Sequence, residues 1–219
     1  MTDPDRPTTS ESIDDPVAAA RGTVYGTLAS LFEEPTEQTY EGLSDGTLAA
    51  DIDRLIEHAD LDVAAPPLVT ADDYELLCAR FNDIFAIGYP DPPVALYESE
   101  YESEGQWEEI NLDLARAYDY FGVEVDESRR EHHDHLQLEL EFAGYLSRLA
   151  AMKGDDAVRR ARRDFLDRHL APLVEEIGEA MDDEVETGIY DDLVEFTNGF
   201  VAADLADLDS RLDVEVSRA

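Results

Sequence analysis

The chain has 219 residues, of which 54 are acidic and 16 basic, giving a formal net charge of −38. Such a surface repels nucleic acid and anionic membranes, which excludes both as partners. The 43% of hydrophobic residues, set in periodic patterns, excludes a wholly disordered chain. Lys153 is the only lysine. An acidic, lysine-poor surface suits a halophilic protein, because molar salt shrinks the Debye length to about 3 Å and makes self-repulsion tolerable.

Residues 1–15 are rich in Asp, Thr, Ser and Pro and read as a disordered acidic tail. Pro16 fits the first turn of a helix. Val17, Ala20, Val24, Leu28, Leu31 and Phe32 give that helix an apolar stripe, and Pro35 ends it. Short helices are expected over 37–43 and 46–58. Pro66-Pro67 breaks the pattern. Thr70 is placed to cap a helix over 70–85, lined by Tyr74, Leu77, Cys78, Phe81 and Phe85. Cys78 is the only cysteine, so no intrachain disulfide can form, which fits a reducing cytoplasm.

Residues 88–101 follow, with Pro90, Pro92 and Pro93 forbidding a helix interior. A loop so rich in proline and aromatic residues is either a packed connector or a functional segment. The helical stripe returns over 105–121 and stops at Gly122. A charged connector, 123–131, leads to the central segment, whose helix ends near Gly154. The next helix starts at Asp155, with Asp155–Arg159 and Asp156–Arg160 as pairs one turn apart. Arg159, Arg160, Arg162 and Arg163 read mostly as a solvated face, and Pro172 should kink or split that helix. The last strong helix covers 184–208, and 209–219 reads as a frayed tail. Nothing alternates at period two for long. The expected fold is all-α: a compact bundle of about eight to ten helices in one domain, 16–208. No apolar run approaches a membrane span, and no signal-peptide pattern opens the chain.

The densest chemistry lies in His132-His133-Asp134-His135 and the helix that follows. Asp134 is a candidate N-cap, and Leu138, Phe142, Tyr145 and Leu149 share a face. His135 and Glu139 stand one turn apart. The cluster suits a metal site, an acid–base pair or a polar anchor for a groove. As a metalloprotein or metal-dependent enzyme, the chain would use His132, His135 and Glu139 as ligands. Against this, the zincin pattern needs Glu directly after its first His, whereas His133 follows His132, and His58 and His169 are isolated. No phosphate-binding Gly-x-x-x-x-Gly-Lys-Ser/Thr loop occurs.

Two stretches carry a resemblance. The run Pro92-Pro93-Val94-Ala95-Leu96-Tyr97-Glu98-Ser99-Glu100-Tyr101 resembles the proline, then Tyr-Glu-Ser-x-Tyr signature of the TorD/DmsD family. Asp134-His135-Leu136 with Glu139-Leu140-Glu141-Phe142 resembles its second signature, Glu-x-Asp-His-Leu-x-x-Glu-Leu-Glu-Phe. A third match is Phe165-Leu166 with His169-Leu170. The motifs stand in the family's order, and the likeness spans about 17–205. The chain departs from the pattern at His133, which displaces Glu131 upstream, and at Ala143. The resemblance implies a cytoplasmic, non-enzymatic, all-helical chaperone with no cofactor and no membrane insertion, a monomer or homodimer. Its partner would be the apo-form of a molybdoenzyme catalytic subunit or that subunit's twin-arginine signal peptide, held for cofactor insertion before export. Clients such as dimethyl sulfoxide, trimethylamine oxide and nitrate reductases all fit. The motif residues Tyr97, Glu98, Ser99, Asp134 and His135 would form the peptide-binding site. Carboxylates suit guanidinium groups, and an apolar groove suits the hydrophobic run after them.

The charge itself is testable. Helicity and melting temperature by circular dichroism should both rise between low and molar potassium chloride, as unscreened repulsion is removed. Identical melts at both salts would contradict a halophilic surface.

Overall fold

In the computed structural model, residues 15–101, 107–126 and 132–216 are described. They form nine α-helices: α1 Pro16–Leu31, α2 Glu37–Asp45, α3 Thr47–Ala59, α4 Tyr74–Phe81, α5 Trp107–Tyr120, α6 Leu136–Lys153, α7 Asp156–Phe165, α8 Ala171–Met181 and α9 Ile189–Val216. No strand forms among the described residues, and the fold is all-α as expected. The tail segment 1–14 lies outside the described residues, as do 217–219.

Helix α6 is the centre, and α1 packs on it more extensively than any other pair of helices meets. Glycine makes that contact close. A Cβ on Gly22 would stand 2.9 Å from Gly144 O, and one on Gly144 would stand 3.0 Å from Gly22 O. The buried side of α6 is Leu136, Leu140, Ala143 and Leu146. The expected stripe of Leu138, Phe142, Tyr145 and Leu149 is therefore only partly right, because Leu138 and Tyr145 are half-exposed. Burial of α6 from several sides removes the one-sided stripe that periodicity detects.

Two helix boundaries, the start of α4 and the end of α9, differ from expectation, whereas the break at Pro172 falls where it was expected. Asp73, not Thr70, caps α4: its Oδ1 accepts from Leu76 N at 2.9 Å. Thr70 is engaged before the helix starts: its Oγ1 accepts from Asp72 N and its N–H donates to Leu43 O, both at 3.1 Å. Proline removes the donor at 172, and the preceding turn widens into a π-helical segment, Leu166–Leu170, before α8 begins. A second π-helical segment, Asn82–Ala86, extends α4. Helix α9 passes the expected end at 208 and runs to Val216, supported by Arg163–Asp209 and Asp207–Arg211 pairs, both 2.7 Å.

The arginine face is also corrected. Asp155 caps α7 through Ala157 N, so Arg159 pairs with Asp156 instead. Arg162 is buried and pairs with Asp204 on α9. Asp204, fully buried, also accepts from Arg21 Nη1 at 3.0 Å and from Tyr25 Oη at 2.7 Å. Burial, then the Asp204 charge, hold the Tyr25 phenol well above its ordinary pKa. This node ties α1, α7 and α9 together. Asp204→Asn should cost about 3–5 kcal/mol, because two buried guanidinium groups lose their shared counter-charge. Urea denaturation at fixed salt measures it, and a loss under 1 kcal/mol would show that the node is marginal.

Candidate functional site

The proline-rich stretch and the start of α6 are stitched together by backbone. Tyr97 and His135 form an isolated antiparallel bridge. Leu136 N donates to Leu96 O at 2.8 Å, and Glu98 N donates to Asp134 O at 3.0 Å. Asp134 Oδ2 accepts from Ser99 N at 3.0 Å. Asp134 is therefore not the N-cap. His135 is: its Nδ1 accepts from Gln137 N at 3.1 Å. The bridge keeps Asp134 extended and delays the helix by one residue. The Tyr97 and His135 rings then meet edge to face, 4.8 Å apart.

Beneath the bridge lies a cluster of carboxyl groups. Glu98, Asp134 and Glu139 are all buried. His169, carried by the π-helical segment before α8, places Nδ1 3.0 and 3.2 Å from the two Glu98 oxygens. Its Nε2 lies 3.2 Å from Asp113 Oδ2, which Arg168 reaches at 2.6 Å. Glu139 finds no donor for either oxygen. Burial, then the charges of Glu98 and Asp134, push its pKa well above the ordinary carboxyl value. Of the three carboxyls Glu139 therefore holds a proton more readily than an ordinary glutamate, and in its acid form the O–H can donate to Glu98. Burial, then Glu139 and Asp134, likewise raise the Tyr118 phenol, whose Oη donates to His133 O at 3.1 Å.

In front of the bridge is a groove of about 410 Å³. Phe32, Phe81, Phe85 and Leu96 give it apolar walls. Glu34, Asp91 and Glu100, all exposed, put carboxylates on its rim, and Tyr97 and His135 line one side. The five residues singled out in the sequence are thus brought together but divided. Tyr97 and His135 face the groove, whereas Glu98 and Asp134 are sealed behind it. Ser99 is half-buried, with its N–H on Asp134. Phe32, Glu34 and Phe85 were not foreseen as site residues. Phe32 and Phe85 carry only apolar periodicity, which marks them as core, and nothing sets Glu34 apart from the other acidic residues of the chain.

Among the described residues no three His, Cys, Asp or Glu side chains converge as a metal site. His132 is exposed, His135 Nδ1 is taken by a backbone amide and Glu139 is enclosed with two other carboxyls. The metalloprotein alternative has no geometric support.

The described residues thus form an all-helical scaffold carrying an acidic-rimmed apolar groove. The chain belongs to the nitrate reductase delta subunit family, which it matches over residues 43–178. It is 30% identical to the perchlorate reductase assembly chaperone protein of Dechloromonas aromatica (strain RCB), over 86% of this chain and 90% of that one. It is 34% identical to the selenate reductase assembly chaperone protein of Thauera selenatis, over 75% and 77%. A crystal structure described as that of a redox enzyme maturation protein from Archaeoglobus fulgidus shares the fold. Its TM-score is 0.53 at 20% identity, covering 83% of this chain and 93% of that one. The chain is a maturation chaperone and not an enzyme. No described helix is long and apolar enough to cross a membrane.

The enclosed acid has a pH signature. The folded pKa of Glu139 lies above its ordinary 4.5, so its stabilising contribution is full below that value and is lost as pH rises toward the folded pKa. Glu139→Gln keeps a donor toward Glu98 without the titration. Wild type should therefore lose melting temperature with rising pH more steeply than Glu139→Gln. Parallel slopes would mean that Glu139 is not the proton carrier.

Proposed function

We propose that the chain is a cytoplasmic chaperone for the apo-form of a molybdenum-containing reductase's catalytic subunit. It holds the subunit's twin-arginine signal peptide in the groove beside Tyr97 and His135 until the cofactor is inserted, and so delays export. The observation that carries this reading is the groove's composition. Phenylalanine walls accommodate an apolar run, and Glu34, Asp91 and Glu100 offer carboxylates to guanidinium groups. The relatives support the client class: their names tie them to perchlorate, selenate and chlorate reductases. Glu98, Ser99 and Asp134 serve the site from behind, by fixing where Tyr97 stands. The acidic surface is that of a protein from a salt-rich cell interior.

Peptide affinity tests this. Tyr97→Ala and His135→Asn should each weaken binding of the client's signal peptide about tenfold or more, an effect in the range seen for central interface residues. Asn keeps the N-cap acceptor and removes only the ring. Melting temperatures of both variants should stay near wild type. Asp134→Ala should instead lower stability by about 1–3 kcal/mol, because the Ser99 amide loses its buried acceptor. Unchanged affinity in both ring variants would move the site elsewhere.

A further inference from the structure

Two features beside the groove are not explained by packing. Trp107, at the first residue of α5, is 48% exposed. Its ring lies 6.1 Å from that of His132, which is exposed and 6.3 Å from Tyr97, and Tyr97 stands 4.8 Å from His135. Four rings therefore run in file from the surface to the groove wall. A core cluster would hide its indole, and this one shows it to solvent. Elsewhere on the rim, Ile87 and Tyr89 sit in the turn between Ala86 and Asp91, both of which line the groove. Tyr89 is fully exposed and Ile87 is 64% exposed. That turn is tight: a Cβ on Gly88 would overlap Asp91 O at 1.8 Å.

We propose that Trp107 and His132, with Tyr97, form the subsite for the peptide's paired guanidinium groups, and that the Ile87–Tyr89 turn takes its apolar run. This rests on the groove being the peptide site and assigns the peptide its direction across it. The chemistry is complementary. A guanidinium is planar and weakly hydrated, so it stacks on the faces of Trp and Tyr rings, whereas an ammonium prefers water. Glu100, exposed on the rim and three residues from Tyr97, supplies a carboxylate for the remaining N–H donors. The turn offers exposed aliphatic and aromatic surface with no charge on Ile87, Gly88 or Tyr89, which suits leucine-like side chains and does nothing for arginine.

The experiment is a double-mutant cycle on the full chain by calorimetric titration at fixed potassium chloride. The probes are a twin-arginine peptide with its apolar run and the same peptide with both arginines replaced by glutamine. Trp107→Ala should weaken the arginine peptide about fivefold, the range of an exposed cation–π contact, and leave the glutamine peptide unchanged. His132→Ala should follow the same pattern, and Trp107→Phe should recover most of the loss. Tyr89→Ala should weaken both peptides by the same factor. The half-exposed position of Trp107 makes its variants tolerable to the fold, and a melting curve checks that. The subsite is overturned if Trp107→Ala spares the arginine peptide, or weakens both equally, while wild type still binds. If wild type binds neither peptide, the groove reading itself falls, and the subsite with it.

Discussion

The carboxylate of Asp134 is the constraint on which the rest of the site depends. One antiparallel bridge is too short to fix a register by itself, since a sheet draws its specificity from repeated pairs. Here the backbone of Asp134 accepts from Glu98 N, and its side chain accepts from Ser99 N, so one buried residue holds two successive amides. Side chains alternate along an extended segment. With the register held, Tyr97 stands on the groove side and Glu98 on the buried side against His169. A slip of one residue would put a carboxylate into the groove wall and a phenol ring into the polar cluster.

That cluster carries an energetic cost. Glu98, Asp134 and Glu139 are out of water, and like charges at close quarters cannot all be ionised. The arrangement resolves this in three ways. One Asp134 oxygen accepts from an amide while the other stays without a partner among the described residues, Glu98 faces an imidazole, and burial beside the other two favours the protonated form of Glu139. The same three motifs lie far apart in the chain. Their meeting joins the loop, the start of α6 and the π-helical segment before α8 into one polar anchor. Packing in a maturation chaperone's core could be met by leucine alone. Polar anchoring with fixed partners adds orientation, which a binding wall needs and apolar contact does not supply.

What was legible in the sequence follows from what each signal measures. Periodicity found most helices because they bury apolar residues at helical spacing, although α2 buries only Leu43, and the prolines at 66–67 and 90–93 marked the non-helical stretches after α3 and after the π-helical segment Asn82–Ala86. Cap residues were less reliable. Thr70 and Asp134 both have capping chemistry, yet the Thr70 hydroxyl accepts from Asp72 N ahead of the helix while its N–H is tied to Leu43 O, and Asp134 is claimed by the 98–99 amides. Local rules cannot see a competitor several tens of residues away. Arg162 failed as a surface residue for the same reason, since its counter-charge Asp204 lies on another helix. The motif residues were correctly brought to one place, but the motif does not say which face the groove or the core. Phe32, Glu34 and Phe85 reached the groove only through tertiary packing.

The charge and the groove bear on one another. At −38 the protein attracts any cationic segment from a distance in dilute buffer. In the molar salt that such a surface suits, the Debye length is about 3 Å, and that long-range pull disappears. The 54 acidic residues then cease to distinguish one cationic peptide from another, because recognition survives only at contact range. Discrimination has to come from groups that salt does not screen: apolar walls that exclude water, a carboxylate close enough for direct hydrogen bonds, and aromatic faces for a guanidinium. Phe32, Phe81, Phe85 and Leu96 with Glu34, Asp91 and Glu100 supply the first two, and Tyr97 and its neighbouring rings supply the third. On the proposed reading, the acidic surface serves to keep the chain folded and dissolved in salt, and binding falls to these few groups, of which Tyr97 is the one that the buried Asp134 holds in place.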